Sequence, residues 1–487
     1  MGRNPRSVGR AVIGSVSTSM MDKRLRAALD SANEKNPSHP WTHTGDVPFG
    51  TDAVHSFRLA NGLRLLLLVD RQAPTVSYFT WFRVGSRHEK PGKTGLAHLF
   101  EHLMFNETEG LAAGKFDRKL EEAGAETNAA TWLDWTYYYE SLPKDRLGLA
   151  ITLESQRMSK LVLREPQVTS ELEVVANERR FRVEDDVEGA ANELLYKTAF
   201  DKHPYHWPTI GWMEDIKAFT PQDCEAFYAT YYAPNNATLV VVGDVSERDV
   251  LAKIAKAYGP LPAGDVPEED TMPDPPQTTP REAEISRPTA TEKVLLGYKG
   301  PALGDAEHAV LSVLNEVLFG GRASRLYDRL VVKDEIATDL RGWVSTFRDP
   351  GLYEVFLTAR APHKRAEVLA AFDDEIARVK SELISVDELE RATARLELGL
   401  LQSLDTAAGK AEQIGFYDTV IGDPRGAFSR LDAYRRVTRG EVRTAARRWL
   451  DANARTAIHV IPNGAPPPDD EGDEPEDADA TDEEVPS

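Results

Sequence analysis

Gly95-Leu-Ala-His98-Leu-Phe-Glu101-His102-Leu-Met-Phe105 gathers two imidazoles and a carboxylate within an otherwise apolar run. Histidines four residues apart sit one helical turn apart, so both rings can reach the same point in space. Glu101 precedes the second histidine, lies on nearly the same face, and can reach a water held at that point. The order His-x-x-Glu-His reverses that of the commoner zinc-peptidase helix and predicts zinc and a hydrolytic water. Flanked by Leu96, Leu99, Phe100, Leu103, Met104 and Phe105, the same stretch would also suit an ordinary packed helix. A third ligand has to decide.

A catalytic zinc usually takes three protein ligands and leaves a position for water. Downstream, Val168-Thr-Ser-Glu171-Leu-Glu-Val-Val-Ala-Asn-Glu178-Arg-Arg has helical spacing. It carries Glu171 and Glu178 two turns apart on one face, beside Val174 and Val175. Either carboxylate could complete the set.

His98-x-x-Glu101-His102 followed some way on by Glu178 in a Val-Val-x-x-Glu type of helix resembles the pitrilysin, insulysin and mitochondrial processing peptidase family of inverzincin metallopeptidases. The resemblance implies His98, His102 and Glu178 as zinc ligands, one zinc per chain, and Glu101 as general base. It gives Glu171 a supporting place beside the metal. Gly85-Ser86, Glu89, Thr108, Asn128-Ala129, Thr136 and Tyr138 also fit the pattern. Asn128 and Ala129 would belong to an edge strand on which an extended substrate pairs its backbone.

At 487 residues with 41% hydrophobic content, the chain can bury cores in two large domains. Residues 1–47 read as an N-terminal extension, partly disordered, with a short helix over Asp22 to Asn33 and a linker from Pro37 to Pro48. Arg3, Arg6 and Arg10 with no acid give its start a mitochondrial-presequence composition. An upstream start codon before Met20-Met21 explains it equally well. No apolar run suits a secretory signal or a membrane span. The lone Cys224 excludes an intramolecular disulfide and suits a reducing cytoplasm, where a small buried residue is expected.

A zinc-bearing domain is expected over 48–260. It opens with a hairpin through Asn61-Gly62, followed by a strand from Thr75 to Val84. Glu126 to Leu142 is β-rich, and Leu239 to Val242 is an apolar strand before a helix over Glu247 to Tyr258. Residues 261–281 form a linker rich in Pro and acids. His203-Pro-Tyr-His206 is interrupted by proline and offers no helical face. Gly92-Lys93-Thr94 has Arg87 where a phosphate loop needs Gly, so ATP binding is not expected.

Residues 282–464 read as a degenerate repeat of the first half. At an offset of about 214, Ala97–Phe105 falls on Leu311–Phe319, keeping the apolar pattern and losing every catalytic residue. At about 218, Thr220-Pro-Gln-Asp223 falls on Thr438-Arg-Gly-Glu441, and Asn235–Thr238 on Asn453–Thr456. The expected architecture is α+β, with two homologous halves, each a mainly antiparallel sheet packed with helices and together forming a clamshell half. Self-sufficient members of the family carry, in this second half, an Arg and seven residues later a Tyr that reach the substrate. Here Val331 and Thr338 stand at those positions, and Arg329 is displaced by two residues. The resemblance therefore implies a heteromeric partner of the same family that supplies the pair.

Residues 465–487 form an acidic tail expected to be disordered, which holds about half of the formal charge of −21. An acidic chain without a basic footprint argues against nucleic-acid binding. The expected activity is zinc-dependent endopeptidase hydrolysis of peptides or unfolded segments. Two alternatives stay open: a scaffold subunit that keeps the fold without the chemistry, and a specific presequence-type processing peptidase.

Overall fold

The computed structural model describes residues 23–268 and 273–464. The expected presequence-like start and the acidic tail lie outside these described residues. The first half carries seven strands: β1 (Trp41–Phe49), β2 (Asp52–Leu59), β3 (Arg64–Val69), β4 (Thr75–Phe82), β5 (Glu126–Thr131), β6 (Thr136–Pro143) and β7 (Ala237–Gly243). The second half carries β8 (Arg281–Arg287), β9 (Lys293–Lys299), β10 (Ala337–Val344), β11 (Leu352–Ala359) and β12 (Arg455–Pro462).

The sheets run in the orders β1-β2-β3-β7-β4-β6-β5 and β10-β11-β9-β12-β8. Read from opposite ends, the five strands from β3 to β5 match the five from β8 to β10. In each half the first of them pairs in parallel with the last in sequence (β3 with β7, β8 with β12), and the remaining pairs are antiparallel. The repeat seen at an offset of about 218 recurs as two capping boxes, Thr220 with Asp223 and Thr438 with Glu441, each opening a helix that precedes the last strand. This is the α+β, two-half architecture expected from the sequence.

Strand β7 is buried along its whole length, which requires cover on both faces. One face of the first sheet packs its own helices, with Leu65, Leu67, Tyr78, Leu239 and Val241 against Leu99, Phe100 and Leu103. The other face is covered from the second half: Ala411 and Ile414 of helix Ala407–Ile421 pack on Leu66, Leu68, Phe79, Trp81 and Val240. Helix Val187–Ala199 of the first half returns the exchange. Its Ala191, Leu195 and Ala199 pack on Leu295, Phe356, Ile458 and Val460 of the second sheet. Each half thus completes the core of the other.

Polar ties reinforce the exchange. Asp418, fully buried on the crossing helix, accepts two hydrogen bonds from Arg64 of β3 at 2.6 and 2.7 Å. Arg87, also buried, bridges Asp134 at 3.0 Å and Asp349 of the second half at 2.7 Å. Cys224 is buried, and burial pushes its thiol up to about 12, as suits a packed residue rather than a nucleophile.

One expectation is corrected. Pro37 to Pro48 is not a linker: Trp41–Phe49 is strand β1, paired antiparallel with β2. Its ends are anchored by Trp41, which donates its indole N–H to Leu251 O at 2.9 Å, and by Phe49, stacked edge-on against Phe428. Pro48 is tolerated because β1 lies at the edge of its sheet, where a missing N–H on the open side breaks no ladder.

Candidate metal centre

The histidine helix, Leu96–Leu103, turns Leu96, Leu99, Phe100 and Leu103 into the core, which leaves His98, Glu101 and His102 on the opposite side. It begins at Gly95, whose φ of +99° disfavours any L side chain. A Cβ there would also lie 2.6 Å from Ile210 O. The first amides of the helix are met by Glu89, whose two carboxylate oxygens accept from Gly95 N and Ala97 N at 2.8 Å each. Burial outweighs these bonds and holds the Glu89 carboxyl well above its ordinary value.

Helix Glu165–Arg179 lies across the histidine helix and presents Glu171 and Glu178 to it. Glu178 Oε2 is 3.6 Å from His98 Nε2 and 3.2 Å from His102 Nε2. The ligand-capable atoms of these three residues all lie within 4.8 Å of one another. Glu178 Oε2 is buried and completes no hydrogen bond. An anionic oxygen set 3.2 and 3.6 Å from two imidazole nitrogens is an arrangement that a cation placed among the three would stabilise. Two imidazoles with one carboxylate form a donor set that suits zinc.

Charge distribution agrees with this fit. Burial, reinforced by His102 and Arg182, lowers His98 to about 4, so the ring is neutral and its lone pair free to ligate. Burial alone would raise Glu178, but His102, His98 and Arg182 bring it below the usual carboxylate range. His102 rises despite burial because Glu178, Glu101 and Glu171 surround it. Burial raises Glu101, which lies beside Thr131 and His102. Glu171 Oε2 sits 3.7 Å from His102 Nδ1, and its other oxygen accepts from Asn106 Nδ2 at 3.1 Å.

Asn128 and Ala129 lie on β5, the terminal strand of the sheet, and Asn128 Oδ1 accepts from Ala129 N at 2.8 Å. Among the described residues, β5 has β6 as its one neighbouring strand. His203 and His206 do not form a second site: His203 contacts Asp349 at 3.0 Å, and His206 contacts Phe200 O at 2.7 Å. Arg329 is drawn to Asp334, Asp374 and Glu375.

Two partners went unread in the sequence. Arg182 lies 3.1 Å from Glu178 Oε1, and its spacing of four residues from Glu178 was a legible signal. Asn106 was not legible, because it meets Glu171 from 65 residues away in the sequence.

The family model described as insulinase, peptidase family M16, matches residues 64–211, and the one described as peptidase M16 inactive domain matches residues 218–396. A curated relative from Helicobacter pylori, the zinc protease PqqE, is 31% identical over 364 residues, covering 73% of this chain and 81% of that protein. A crystal structure of a protease from Helicobacter pylori superposes with a TM-score of 0.79 at 27% identity, covering 84% of this chain and 99% of the other. A structure of a peptidase M16 inactive domain from Pseudomonas fluorescens shares the fold, with a TM-score of 0.76 at 20% identity over 85% of this chain and 98% of that one.

Proposed function

Because the chain belongs to the M16 (insulinase) family of peptidases, we propose that it is a zinc-dependent endopeptidase acting on peptides or unfolded polypeptide segments. His98, His102 and Glu178 hold the metal, and Glu101 is the general base. The observation that carries this reading is the convergence of buried Glu178 Oε2 on the Nε2 atoms of both histidines, at 3.6 and 3.2 Å. Bound there, zinc would supply Lewis acidity, polarising the scissile carbonyl and easing deprotonation of water.

The chain's own residues supply the remainder. Glu101 takes the water proton and passes it to the departing amine, a task eased by the burial that raises its pKa. Water is the nucleophile, so no acyl-enzyme forms. Glu171, steadied by Asn106, orients the His102 ring. Strand β5, with Asn128 and Ala129, offers its open backbone edge to an extended substrate, which favours loose side-chain specificity.

A partner subunit of the same fold completes the site. Val331 and Thr338 stand where an Arg and a Tyr would reach the substrate, and Arg329 is committed to three acids elsewhere. The same observation favours a second reading, a scaffold subunit without catalysis. The test is cleavage of a quenched-fluorescent basic peptide, with and without a zinc-free family subunit, alongside metal analysis. One zinc per chain, and cleavage that needs the partner and disappears in Glu101→Gln, supports the peptidase. A metal-free chain that stays inactive with partner and added zinc leaves the scaffold.

A further inference from the structure

His43, Asp46 and His55 converge on one point at the far edge of the first sheet. His43 Nε2 and His55 Nδ1 each lie 2.7 Å from the same oxygen, Asp46 Oδ1. Their ligand-capable atoms fall within 4.8 Å of one another. The arrangement depends on a β-bulge. The β1–β2 register shifts between His43 and Gly45, so Thr44 is the extra residue.

In an unbroken strand, residues three apart point to opposite faces. The bulge turns His43 and Asp46 to the same face, where Asp46 lies directly opposite His55 and His43 opposite Phe57. Gly45 carries the turn with a φ of +150°, a conformation that L side chains rarely adopt. The His43 ring packs against buried Phe57 at 5.4 Å between centroids, which fixes its aim.

The three side chains are only 12%, 15% and 23% exposed. Both imidazole nitrogens are directed at one carboxylate oxygen, and a cation placed among the three would take one lone pair from each. Ligand bonds of roughly 2.0–2.1 Å require donor atoms about 3.3 Å apart, so a small opening of the cluster admits the ion.

We propose that His43, Asp46 and His55 form a second metal site, taking a divalent ion of the zinc, cobalt or nickel class and clamping the β1–β2 hairpin. Two imidazoles and a carboxylate with remaining positions open to water suit that class better than calcium or magnesium, which prefer all-oxygen shells. The site lies at the β1–β2 edge of the first sheet and shares no residue with the centre at His98, so the two load independently.

The test uses the full chain with the first centre removed by His98→Ala and His102→Ala. After equilibration with micromolar Co2+ and gel filtration, metal analysis and the cobalt visible spectrum are read. We expect one ion per chain, lost when His55→Ala or Asp46→Asn is added. Absence of metal, binding only at millimolar cobalt, or retention of the ion in both added variants would overturn the proposal. Anomalous scattering from crystals of the unmutated chain grown with zinc gives a reading that needs no variant: a peak between His43 and His55 supports the site, and a peak at His98 alone overturns it.

Discussion

Glu89→Gln tests whether a buried carboxylate sets the start of the histidine helix. Glu89 is only 6% exposed and accepts from Gly95 N and Ala97 N, one amide on each oxygen. A carboxamide keeps one acceptor and turns its NH2 toward the other amide, removing one charge-assisted bond worth about 1.5–3 kcal/mol and opposing two donors. Against this, burial holds the carboxyl well above its ordinary value, so the neutral amide also lifts a desolvation cost. The net expectation is a loss of about 1–3 kcal/mol for Gln, and about 3–5 kcal/mol for Ala, which leaves both amides unmet. His98 and His102 ride on the helix these amides begin, so zinc affinity should fall in the same order. Urea midpoints and zinc competition against a chromophoric chelator measure both quantities. Glu89→Gln matching the parent chain in both, or Glu89→Ala no weaker than Gln, would refute the capping argument.

Glu171→Gln should weaken zinc binding by roughly 10–100-fold while leaving the unfolding midpoint of the metal-free chain unchanged, as expected of a residue that orients His102 rather than holds the metal. Arg64→Met leaves Asp418 charged and buried where the halves cross, so thermal unfolding should reveal a loss of about 3–5 kcal/mol. A much smaller loss would mean that Arg83, 4.0 Å away, takes over the pairing. Glu354 lines a cavity of about 540 Å³ between the halves and, raised by burial against the opposing bonds from Tyr196 and Asn192, reaches about 7. Its proton is held more tightly in the folded chain, so its contribution is full below the ordinary carboxylate range and is lost as pH rises toward about 7. Glu354→Gln should flatten the pH dependence of stability across that window, and an unchanged slope would assign it to other groups.

Much of this architecture was legible because local and global signals agree. Asn61-Gly62 fixes a hairpin, the apolar run of β7 demands two covered faces, and the capping boxes at Thr220 and Thr438 mark the same step in both halves. The run of β7 cannot say what covers it, and the exchange of helices Val187–Ala199 and Ala407–Ile421 follows from the docking of the halves, which no local pattern encodes. Strand β1 was missed for a different reason. Beyond Trp41 its inward face carries His43 and Asp46 instead of apolar residues, and the bulge at Thr44 breaks the alternation by which strands are recognised.

The second half explains how the fold survives without a metal. Helix Val386–Ser403 packs on helix Ala306–Phe319 as helix Glu165–Arg179 packs on the histidine helix. By the offset of about 214, Glu316 takes the place of His102, and it accepts from Arg395 of the opposing helix at 2.9 Å. Asn315, in the place of Glu101, accepts instead from the Tyr353 hydroxyl at 3.1 Å. The imidazole facing a carboxylate has become a carboxylate facing a guanidinium, an attraction between the same two helices that needs no ion. In the first half the corresponding contact sets Glu178 Oε2 3.2 Å from His102 Nε2 and 3.6 Å from His98 Nε2. The two halves therefore hold one helix pairing by different means, a complete ion pair in the second and, in the first, a carboxylate between two imidazoles, the cluster on which the proposed metal site rests.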